Sequence, residues 1–313
     1  MKNYGIAIHG GAGTVSKIKM TKWKAEAYRQ ALKRAYSVGY HTLHKGGKAL
    51  EAVTEAILIL ENSPLFNAGK GSVFTHDGEH EMDAAIMDGK KLKAGAVAGV
   101  KSVKNPILLA TAVMKKSRHV LISGEQALEF AREQGLEIAP KEYFYDEYRF
   151  KQWQKVVAMD SVVLDHDEEE GKKFGTVGAV ALDKKGNLAA GTSTGGMVNK
   201  KYGRIGDSPL IGIGTYANNA SCAISCTGHG EFFIRTVVAH EISSRMLYKG
   251  QSLKEACEAV VKEMLPALGG KGGVIAIDSH GNITMPFNTK GMYRGFKNSA
   301  NDEFVGIFET DRR

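Results

Sequence analysis

The chain has 313 residues, of which 43% are hydrophobic and 24% charged, so it is long enough for a substantial core and has an ordinary globular composition. Lysine and arginine outnumber aspartate and glutamate by 42 to 34, which gives a formal charge of +8. The basic residues are scattered over amphipathic segments without interleaved aromatic residues, and this distribution argues against nucleic acid as a partner.

The cysteines and the apolar runs bear on where the protein works. Cys222, Cys226 and Cys257 have no CxxC spacing and no nearby set of histidines. Such an odd, sparse count is typical of a reducing compartment, where thiols pack in the core instead of forming disulfides or zinc sites. The sequence shows no secretion signal and no apolar run long enough to cross a bilayer. We therefore expect a cytoplasmic protein without a membrane partner.

The first half of the chain is predicted to mix strands and helices around two glycine-rich turns. A strand is predicted at Tyr4–Ile8, and it runs into the turn HGGAGT. Two helices follow, and the second shows apolar residues at helical spacing from Ala49 to Leu60. After the glycine-rich loop Asn67–Gly71, strands are predicted at Ala84–Ile86 and Ala94–Val100.

Two short helices and a charged segment come next. Asn105 and Pro106 are typical of an N-cap followed by the first helical position, and Ser123 with Gln126 predicts a capping box. From about residue 147 to 175 the apolar periodicity dissolves, and the stretch LDHDEEEGKK concentrates acidic residues. We therefore interpret residues 147–175 as a flexible linker.

The second half is predicted to consist of hairpins and paired helices. TVGAVAL from Thr176 and LAAGTST from Leu188 flank the turn DKKGN and predict a β-hairpin. Further elements are predicted as strands at Leu210–Gly214 and Ser221–Cys226, helices at about Glu231–Tyr248 and Ser252–Leu265, and a closing hairpin in GVIAIDSHGNITMPF. Because strands come in hairpins and helices in pairs, antiparallel sheets covered by helix layers are favoured over a doubly wound parallel sheet.

Several short motifs resemble sites and are rejected on their context. GTSTG fits the G-x-S-x-G pattern and would make Ser193 a nucleophile, but the continuation GMVNKKYGR does not begin the helix that this turn requires. HGGAGT and GIGTYA miss the spacing of a dinucleotide-binding loop. HEISS lacks the second histidine of a metalloprotease helix, so His240 is interpreted as a helix-face residue.

Thr176 stands apart, because in KKFGTVGAV it follows the charged segment and begins a buried strand. If the Gly175–Thr176 bond is cut, the new α-amino group has a reference pKa of about 7.7–8.0 and sits on the same residue as the hydroxyl. Gly175 fits this hypothesis, since glycine adopts strained backbone angles and leaves its carbonyl open to attack. A plain loop-to-strand start explains the dipeptide as well, so this stretch alone leaves both interpretations open.

Two further stretches supply groups that could bind an amino-acid substrate. Arg204 and Asp207 stand three residues apart in GRIGDSP, and such a pair could hold the carboxylate and the ammonium of a free amino acid. A surface salt bridge is the alternative. SCTGHGEFFIR ends a strand at Thr227 and Gly228 before a helix, so donors converge where an oxyanion could sit, although a tight helix start needs the same glycines.

These motifs occur together in one known family. The chain resembles the plant-type asparaginase and isoaspartyl peptidase family of N-terminal-nucleophile hydrolases in GTVGAVALD, TSTGGMVNKKYGRIGDSP, YANNASCAISCTGHGEFFIR, LPALGGKGGVIAID and PFNTKGMYR, and also in HGGAGT and FNAGKGSVF. The resemblance covers nearly the whole chain except the linker. It implies an α+β fold, an αββα four-layer sandwich with two central, mainly antiparallel sheets, built as a single domain over residues 1–313.

The resemblance also implies activation by self-cleavage into an alpha subunit, residues 1–175, and a beta subunit, residues 176–313. Thr176 would be the nucleophile with its own amine as base, and Thr194 would orient it. The other implied roles are binding of the substrate carboxylate by Arg204 and of its α-amino group by Asp207, an oxyanion hole at Thr227 and Gly228, a substrate contact at Gly230, and assistance in the cleavage region by Asn67.

The implied reaction is hydrolysis of the side-chain amide of L-asparagine and of the isopeptide bond of β-aspartyl dipeptides, without a catalytic cofactor, by a homodimer of cleaved protomers. Relatives hold a structural sodium ion through main-chain carbonyls, which here would belong to Leu60, Glu61, Ser63, Phe66, Ala68 and Lys70. The TGHGE stretch around His229 also occurs in aspartylglucosaminidases, so a glycosylasparaginase is the alternative enzyme. An uncleaved, inactive binding protein of the same fold is the alternative from another class.

Overall fold

Two β-sheets lie at the centre of the computed structural model, which describes residues 3–13, 20–158 and 175–311. The strands are β1 (Gly5–Gly13), β2 (Met82–Asp88), β3 (Lys93–Val100), β4 (Leu121–Ser123), β5 (Val177–Leu182), β6 (Leu188–Thr194), β7 (Thr215–Ala217), β8 (Cys222–Gly228), β9 (Gly272–Asp278), β10 (Ile283–Thr284), β11 (Gly291–Asn298) and β12 (Glu303–Phe308). The larger sheet has the order β12-β11-β1-β5-β6-β2-β3-β4, and the smaller has the order β10-β9-β8-β7. The β3–β4 pair is parallel and the other pairs are antiparallel.

Helices cover the outer face of each sheet. They are α1 (Lys22–His44), α2 (Ala49–Glu61), α3 (Pro106–Lys116), α4 (Gly124–Glu133), α5 (Lys141–Phe144), α6 (Glu147–Ala158), α7 (Gly230–Thr236), α8 (Val238–Lys249), α9 (Leu253–Glu258) and α10 (Leu265–Ala267). Helices α1, α2 and α3 pack on the larger sheet, α8 and α9 pack on the smaller, and the two sheets pack on each other. The predicted αββα sandwich with two mainly antiparallel sheets is confirmed.

Strand β5 shows how the sequence pattern builds these layers. Val177, Ala179 and Ala181 belong to the apolar core beneath the first three helices, whereas Val180 and Leu182 belong to the core between the two sheets. This alternation follows from the two-residue period of a strand. Residues 176 and 178 have the same parity as the second set, so they face the space between the sheets.

The linker prediction was wrong over its first part, because Glu147–Ala158 forms helix α6. Arg149, Gln152 and Val156 are buried at helical spacing, and Arg149 Nε donates to the carbonyl of Gly71 at 3.1 Å. Two of these buried side chains are polar, so the apolar periodicity that reveals a helix was weak in the sequence. Residues 159–174 of the predicted linker lie outside the described residues.

The strand predicted at Leu210–Gly214 was also wrong, because this segment is a turn. The N–H groups of Ile213 and Gly214 both donate to the carbonyl of Leu210, and Gly212 has a φ of +86°. Alternating isoleucine and glycine resembled a strand pattern, but the positive φ at Gly212 bends the chain away from a strand path.

The helix predicted from Glu231 to Tyr248 is interrupted at Val237, which has a φ of 50° and separates α7 from α8. The interruption lets the N–H groups of Ala239 and His240 donate to carbonyls of the 210–214 turn. First-turn N–H groups of a helix need such outside acceptors, and the apolar pattern does not reveal them.

The other differences are smaller. Ser252 caps α9 with the predicted capping box, and the helix then continues through a π-helical segment at Ala259–Met264. Ser123 occupies the N-cap position of α4, but its side chain makes no capping hydrogen bond, so the capping box predicted there was wrong. Strands β4, β7, β11 and β12 had not been predicted.

The three cysteines agree with the expectation from composition. Cys222, Cys226 and Cys257 are free and buried, as predicted for thiols that pack in the core. Over the three described ranges, no helix has both the length and the apolar character that crossing a bilayer demands.

Candidate active site

Thr176 lies at the tip of the larger sheet, directly before β5. Strands β5 and β6 pair with Gly178 opposite Thr192, so two residues further along Thr176 lies opposite Thr194. The Thr176 hydroxyl donates to Thr194 Oγ1 at 3.0 Å, and Thr194 Oγ1 also accepts the N–H of Gly196 at 3.0 Å. The strand register therefore brings the predicted nucleophile and the residue predicted to orient it together.

A chain of buried polar side chains holds the main chain of Thr176. His9 Nδ1 lies 3.0 Å from the Thr176 carbonyl oxygen, and His9 Nε2 lies 2.9 Å from Ser225 Oγ. Because a carbonyl only accepts, Nδ1 carries the proton and Nε2 accepts from Ser225. Thr192 Oγ1 continues the chain 2.7 Å from Ser225 Oγ, and Thr215 Oγ1 donates to Thr192 Oγ1 at 2.6 Å.

The buried surroundings fix the charge of His9. Burial lowers the pKa of His9 to about 3, although its bond to the Thr176 carbonyl acts in the opposite direction. The imidazole is therefore neutral near pH 7. A neutral ring that donates from one nitrogen and accepts at the other is a rigid spacer between β1, β5 and β8.

Two glycines leave the space that this arrangement needs. A Cβ at Gly178 would lie 2.0 Å from Ser225 Oγ and 2.4 Å from His9 Nε2. Gly11 has a φ of +110° where the β1 register shifts, and a Cβ there would lie 2.8 Å from both the nitrogen and the oxygen of Gly175. The second half of β1, predicted from sequence as a turn, is therefore strand that packs against Gly175, the residue before the predicted cleavage point.

Asn67 supports the loop that follows β6 from the buried side. Its Nδ2 donates to the carbonyl of Gly196 at 2.8 Å, and its own carbonyl accepts the N–H of Gly195 at 3.1 Å. Its Oδ1 accepts the N–H of Val73 at 3.0 Å. Asn67 thus fixes the two glycines whose backbone reaches Thr194, and it acts on the site through them.

A small cavity opens beside Thr176 and gathers predicted site residues from distant parts of the chain. Its lining includes Gly175, Thr176, Thr194, Arg204, Asp207 and Gly228. Thr227 precedes Gly228 at the end of β8, and its Oγ1 accepts the N–H of Ala12 at 3.3 Å. The proton of the Thr227 hydroxyl can therefore be donated to another acceptor, such as a developing oxyanion.

Asp207 presents an incompletely satisfied carboxylate to this cavity. The residue is buried, and Oδ2 has no hydrogen-bond partner among the described residues. Burial raises the pKa of Asp207 to about 7, although the positive charge of Arg204 acts in the opposite direction. Leaving a buried acceptor unpaired costs about 1–3 kcal/mol, so an ammonium group that reached Oδ2 would recover that energy.

Arg204 is already engaged by a carboxylate that the sequence analysis did not single out. Arg204 Nε and Nη2 donate to the two oxygens of Glu231, each at 3.0 Å, and His229 Nε2 lies 3.5 Å from the same carboxylate. Burial acts to raise the pKa of Glu231, but the hydrogen bond from Arg204 holds it below its usual range. Glu231 therefore occupies the bidentate position that a substrate carboxylate would take on Arg204.

Gly230 lies between the two binding residues. A Cβ at this position would be 2.8 Å from Arg204 Nη2 and 2.9 Å from Asp207 Oδ1. Both charged groups therefore border the same point, which glycine leaves open. This geometry is consistent with the substrate contact expected at residue 230.

The loop expected to bind sodium offers suitable oxygen donors. The carbonyls of Leu60, Phe66 and Ala68 each accept an N–H from within the loop, from Ser63 at 3.2 Å, from Ala68 at 3.0 Å and from Gly71 at 3.3 Å. The Leu60 carbonyl also accepts the N–H of Asn62, so a second lone pair is left on the Phe66 and Ala68 carbonyls. Neutral oxygens of this kind are ligands that suit a hard cation. No cluster of three histidine, cysteine or acidic side chains able to bind a metal occurs in the described part of the chain.

Two residues that the sequence patterns excluded as a nucleophile and a metal ligand, Ser193 and His240, lie away from the cavity. Ser193 points to the opposite face of β6 from Thr194, where its hydroxyl donates to Glu61 Oε1 at 2.6 Å. His240 is exposed on α8 and contacts Ser244 at 3.3 Å. Neither side chain is placed to act on a substrate beside Thr176.

Some residues that build the site gave no local signal in the sequence. Ser225, Thr192 and Thr215 resemble ordinary strand hydroxyls, and their connection to His9 depends on strands that are far apart in the chain. Glu231 could have been found from sequence, because it stands in SCTGHGEFFIR three residues after Gly228. An acidic side chain so close to a predicted oxyanion hole was the signal.

Comparison with known proteins agrees with this geometry. The sequence profile of the family described as Asparaginase matches residues 2–307. Isoaspartyl peptidases from Salmonella typhimurium and Escherichia coli are each 53% identical over 306 residues, covering 97% of this chain and 98% and 95% of theirs. A plant-type L-asparaginase from Pyrococcus abyssi is 43% identical over 317 residues, covering 96% of this chain and 99% of its own.

The family match extends over almost the whole chain, and the structure places residues of GTVGAVALD, TSTGGMVNKKYGRIGDSP and SCTGHGEFFIR around one cavity. The relatives are hydrolases by name, and the fold is the sandwich of N-terminal-nucleophile hydrolases. The chain therefore belongs to the asparaginase family and is a hydrolase of the N-terminal-nucleophile type.

Proposed function

We propose that the protein cuts itself between Gly175 and Thr176 and then hydrolyses the side-chain amide of L-asparagine and the isopeptide bond of β-aspartyl dipeptides. One observation carries this proposal. The Thr176 hydroxyl, hydrogen-bonded to Thr194, shares a cavity with Asp207, whose buried Oδ2 has no hydrogen-bond partner among the described residues, and with an arginine in a bidentate ion pair. A free amino-acid head group carries the charges that match these two residues.

The substrate head group sets the orientation. Its α-ammonium donates to Asp207 Oδ2, and its α-carboxylate takes the guanidinium of Arg204 in place of Glu231. Glu231 is half exposed, so it can turn into solvent without leaving a buried charge behind. With both ends of the head group held, the β-carbonyl carbon is directed toward Thr176.

The chemistry then needs only groups of this chain and water. The free α-amine of Thr176 accepts the hydroxyl proton while Oγ forms a bond to the β-carbonyl carbon. Thr227 and the N–H of Gly228 stabilise the oxyanion, and the protonated amine gives its proton to the departing ammonia or amino acid as the C–N bond breaks. Water then attacks the β-aspartyl ester while the amine accepts a proton from it. The bond between Thr176 Oγ and the carbonyl carbon breaks, the amine returns the proton to Oγ, and aspartate leaves.

The buried network behind β5 keeps Thr176 in place during these steps. His9 donates to the Thr176 carbonyl and is itself held by Ser225, so cutting the chain before Thr176 leaves the residue anchored through its carbonyl. A nucleophile held in this way loses little orientation when it becomes a chain terminus.

We further propose the organisation of the mature enzyme. Residues 1–175 form the alpha subunit and residues 176–313 the beta subunit of one hydrolase domain, two such protomers form a homodimer, and the loop carbonyls from Leu60 to Lys70 hold a sodium ion that stabilises the Asn67 loop. The three buried free thiols support a reducing, cytoplasmic location. In this proposal the sodium ion has a structural role.

The test combines mass spectrometry, N-terminal sequencing and substrate assays on the incubated protein. We expect two chains, one of which begins at Thr176, and release of ammonia from L-asparagine and of an amino acid from a β-aspartyl dipeptide. Glycosylated asparagine serves as the third substrate, since preferential release of its sugar amine would instead identify a glycosylasparaginase. A single uncut chain with no turnover of any of the three substrates would refute the proposal.

A further inference from the structure

A second cavity lies at the opposite end of the β5–β6 hairpin from Thr176. It measures about 430 Å³ and is formed by the start of α2, the β2–β3 turn, the end of α3 and the β5–β6 turn. Because a strand rises about 3.3 Å per residue, the length of β5 separates this cavity from Thr176 by ~20 Å. The volume falls within the range of roughly 300–1,000 Å³ that is typical of small-molecule sites.

Lysine side chains surround this cavity. We call it the lysine groove, and the lysines that define it are Lys48, Lys90, Lys91, Lys93, Lys115 and Lys185. They come from four separate segments, so the sequence shows them as scattered basic residues. Within the described ranges, Lys48 pairs with Glu51 at 3.8 Å, and none of the other five lysines forms an ion pair.

Two carboxylates, Asp88 and Asp183, also line the groove and reduce its formal charge from +6 to +4, but among the described residues neither forms an ion pair with a lysine, and both accept backbone N–H groups. Asp88 Oδ1 accepts the N–H of Lys90 at 3.1 Å. Asp183 Oδ1 accepts the N–H groups of Lys185 and Asn187 at 2.8 and 3.0 Å, and Oδ2 accepts the N–H of Ala49 at 3.3 Å. Both carboxylates therefore stabilise turns and the helix start, and the six lysines that line the groove leave it with an excess of positive charge.

The chemistry of the lining indicates the kind of ligand. An ammonium on a four-carbon stem is a compact point charge that suits phosphate oxygens, and several of them together exceed what a single carboxylate can neutralise. Below the lysines the wall is apolar, with Ala49, Leu50, Met114 and Leu188. None of the described lining residues is aromatic, so the groove lacks the stacking platform typical of a single-strand nucleic-acid site.

We propose that the lysine groove binds a small polyanion with contiguous phosphate groups. Inorganic polyphosphate and a nucleoside polyphosphate share this chemistry. The phosphates lie among the ammonium groups, and the apolar wall contacts the remainder of the ligand where there is one. The site is separate from the hydrolytic cavity and does not depend on the proposed reaction.

Calorimetric titration of the full-length protein with two probes, inorganic triphosphate and magnesium-free adenosine triphosphate, tests this proposal. Saturable binding of one ligand per chain is expected. The variant K91Q/K115Q/K185Q, which removes one lysine from each of three segments, should weaken binding by about tenfold or more. Tighter binding of the nucleotide than of inorganic triphosphate would identify the apolar wall as part of the site, and equal binding would restrict the site to the phosphates; either result supports the proposal.

A matched control separates a site from general attraction to a basic protein. The variant K22Q/K249Q/K254Q removes three exposed lysines from α1, α8 and α9 and so has the same net charge as the groove variant. It should bind within about twofold of the unmodified protein. Equal weakening in both triple variants, or no saturable binding by the unmodified protein, would overturn the proposal. Retained hydrolysis of the substrate by the groove variant shows that it is folded.

Discussion

The two ends of the β5–β6 hairpin treat charge in opposite ways. At the Thr176 end, Asp207 is buried with one oxygen that no described residue pairs, and Arg204 donates to both oxygens of Glu231. At the turn end, all six lysines in the lysine groove are exposed, and five of them take part in no ion pair among the described residues. The β5–β6 strand pair thus separates a site with a buried charged group from a groove with exposed charged groups.

This difference in burial decides how strongly each end of the hairpin depends on a ligand of opposite charge. A buried charge without a partner has a large desolvation cost, which Asp207 escapes either by taking up a proton or by meeting a cationic ligand group. Exposed ammonium groups are screened by water and salt, so the lysine groove tolerates its charge with or without a ligand. Changes at the first end should therefore alter catalysis by large factors, and changes at the second should leave it intact.

The largest effect is expected for Thr176→Ala. The variant lacks the only hydroxyl proposed to attack the substrate and the Gly175 carbonyl, so self-cleavage should stop and hydrolysis should fall by about a thousandfold or more. Gel electrophoresis and ammonia release measure the two losses. Ser193→Ala serves as a control, because the Ser193 hydroxyl bonds to Glu61 and lies on the other face of β6. Residual turnover close to that of the unmodified protein would contradict the role of Thr176.

Asp207→Asn should produce the next largest loss. The amide keeps the shape of the side chain but removes the charge that attracts the substrate ammonium, so kcat/KM should fall by about 100-fold or more, mainly through KM. Because Asp207 is not proposed to attack the Gly175 carbonyl, the variant should still yield two chains. An unchanged KM would show that the buried carboxylate does not contact the head group.

The pH dependence of KM should identify the same carboxyl group. Burial raises the pKa of Asp207 to about 7, so below this pH a growing fraction is protonated and cannot pair with an ammonium. KM should rise about tenfold for each pH unit below 7 and level off above it. In Asp207→Asn this dependence should disappear, whereas kcat should keep the titration of the Thr176 amine. A KM that stays constant between about pH 5.5 and 7.5 would contradict this assignment.

A smaller effect of opposite sign is expected for Glu231→Gln. Without its charge the side chain competes less with the substrate carboxylate for Arg204, so KM should fall by about two- to fivefold, as is typical of a half-exposed ion pair. Initial rates over a range of L-asparagine concentrations measure the change. An increase in KM would show instead that Glu231 holds Arg204 in its binding position.

The smallest effect concerns stability at the lysine groove. K91Q/K115Q/K185Q relieves repulsion between like charges, so its Tm should lie about 1–2 °C above that of the unmodified protein at low salt. This difference in Tm should vanish near 0.5 M salt, where the Debye screening length is about 4 Å. Scanning calorimetry of this variant and of K22Q/K249Q/K254Q gives the comparison. An equal rise in both variants would show that net charge, and not the groove, is responsible.

Much of the fold could be predicted from sequence because the relevant signals were local. The β5–β6 hairpin was read from two alternating runs around DKKGN, and α2 was read from its apolar spacing. Helix α6 was missed because Arg149 and Gln152 occupy buried positions, and an arginine is not expected there. The turn at 210–214 was missed because its hydrogen bonds run within the turn, to the Leu210 carbonyl, and from N–H groups of α8. A pattern of alternating residues in the sequence does not reveal such bonds.

The site was predictable to the extent that its residues stand in recognisable motifs. Thr176, Thr194, Arg204 and Asp207 were named from such stretches, and the structure places all four on one cavity. His9 was considered only as part of HGGAGT, which was tested as a dinucleotide-binding loop and rejected. Its bonds to Thr176 and Ser225 join residues 167 and 216 positions away, and no local pattern encodes such distances.

The sequence by itself determined the layer architecture, the threonine at the start of β5 and the oppositely charged pair after β6, since strand periodicity, turn residues and reactive groups are properties of neighbouring residues. Only the tertiary structure decided that a neutral histidine holds Thr176 from behind, that Glu231 occupies Arg204, and that six dispersed lysines face one groove. The physical reason is that these arrangements depend on strand register and on the desolvation of groups that meet only when distant segments pack together.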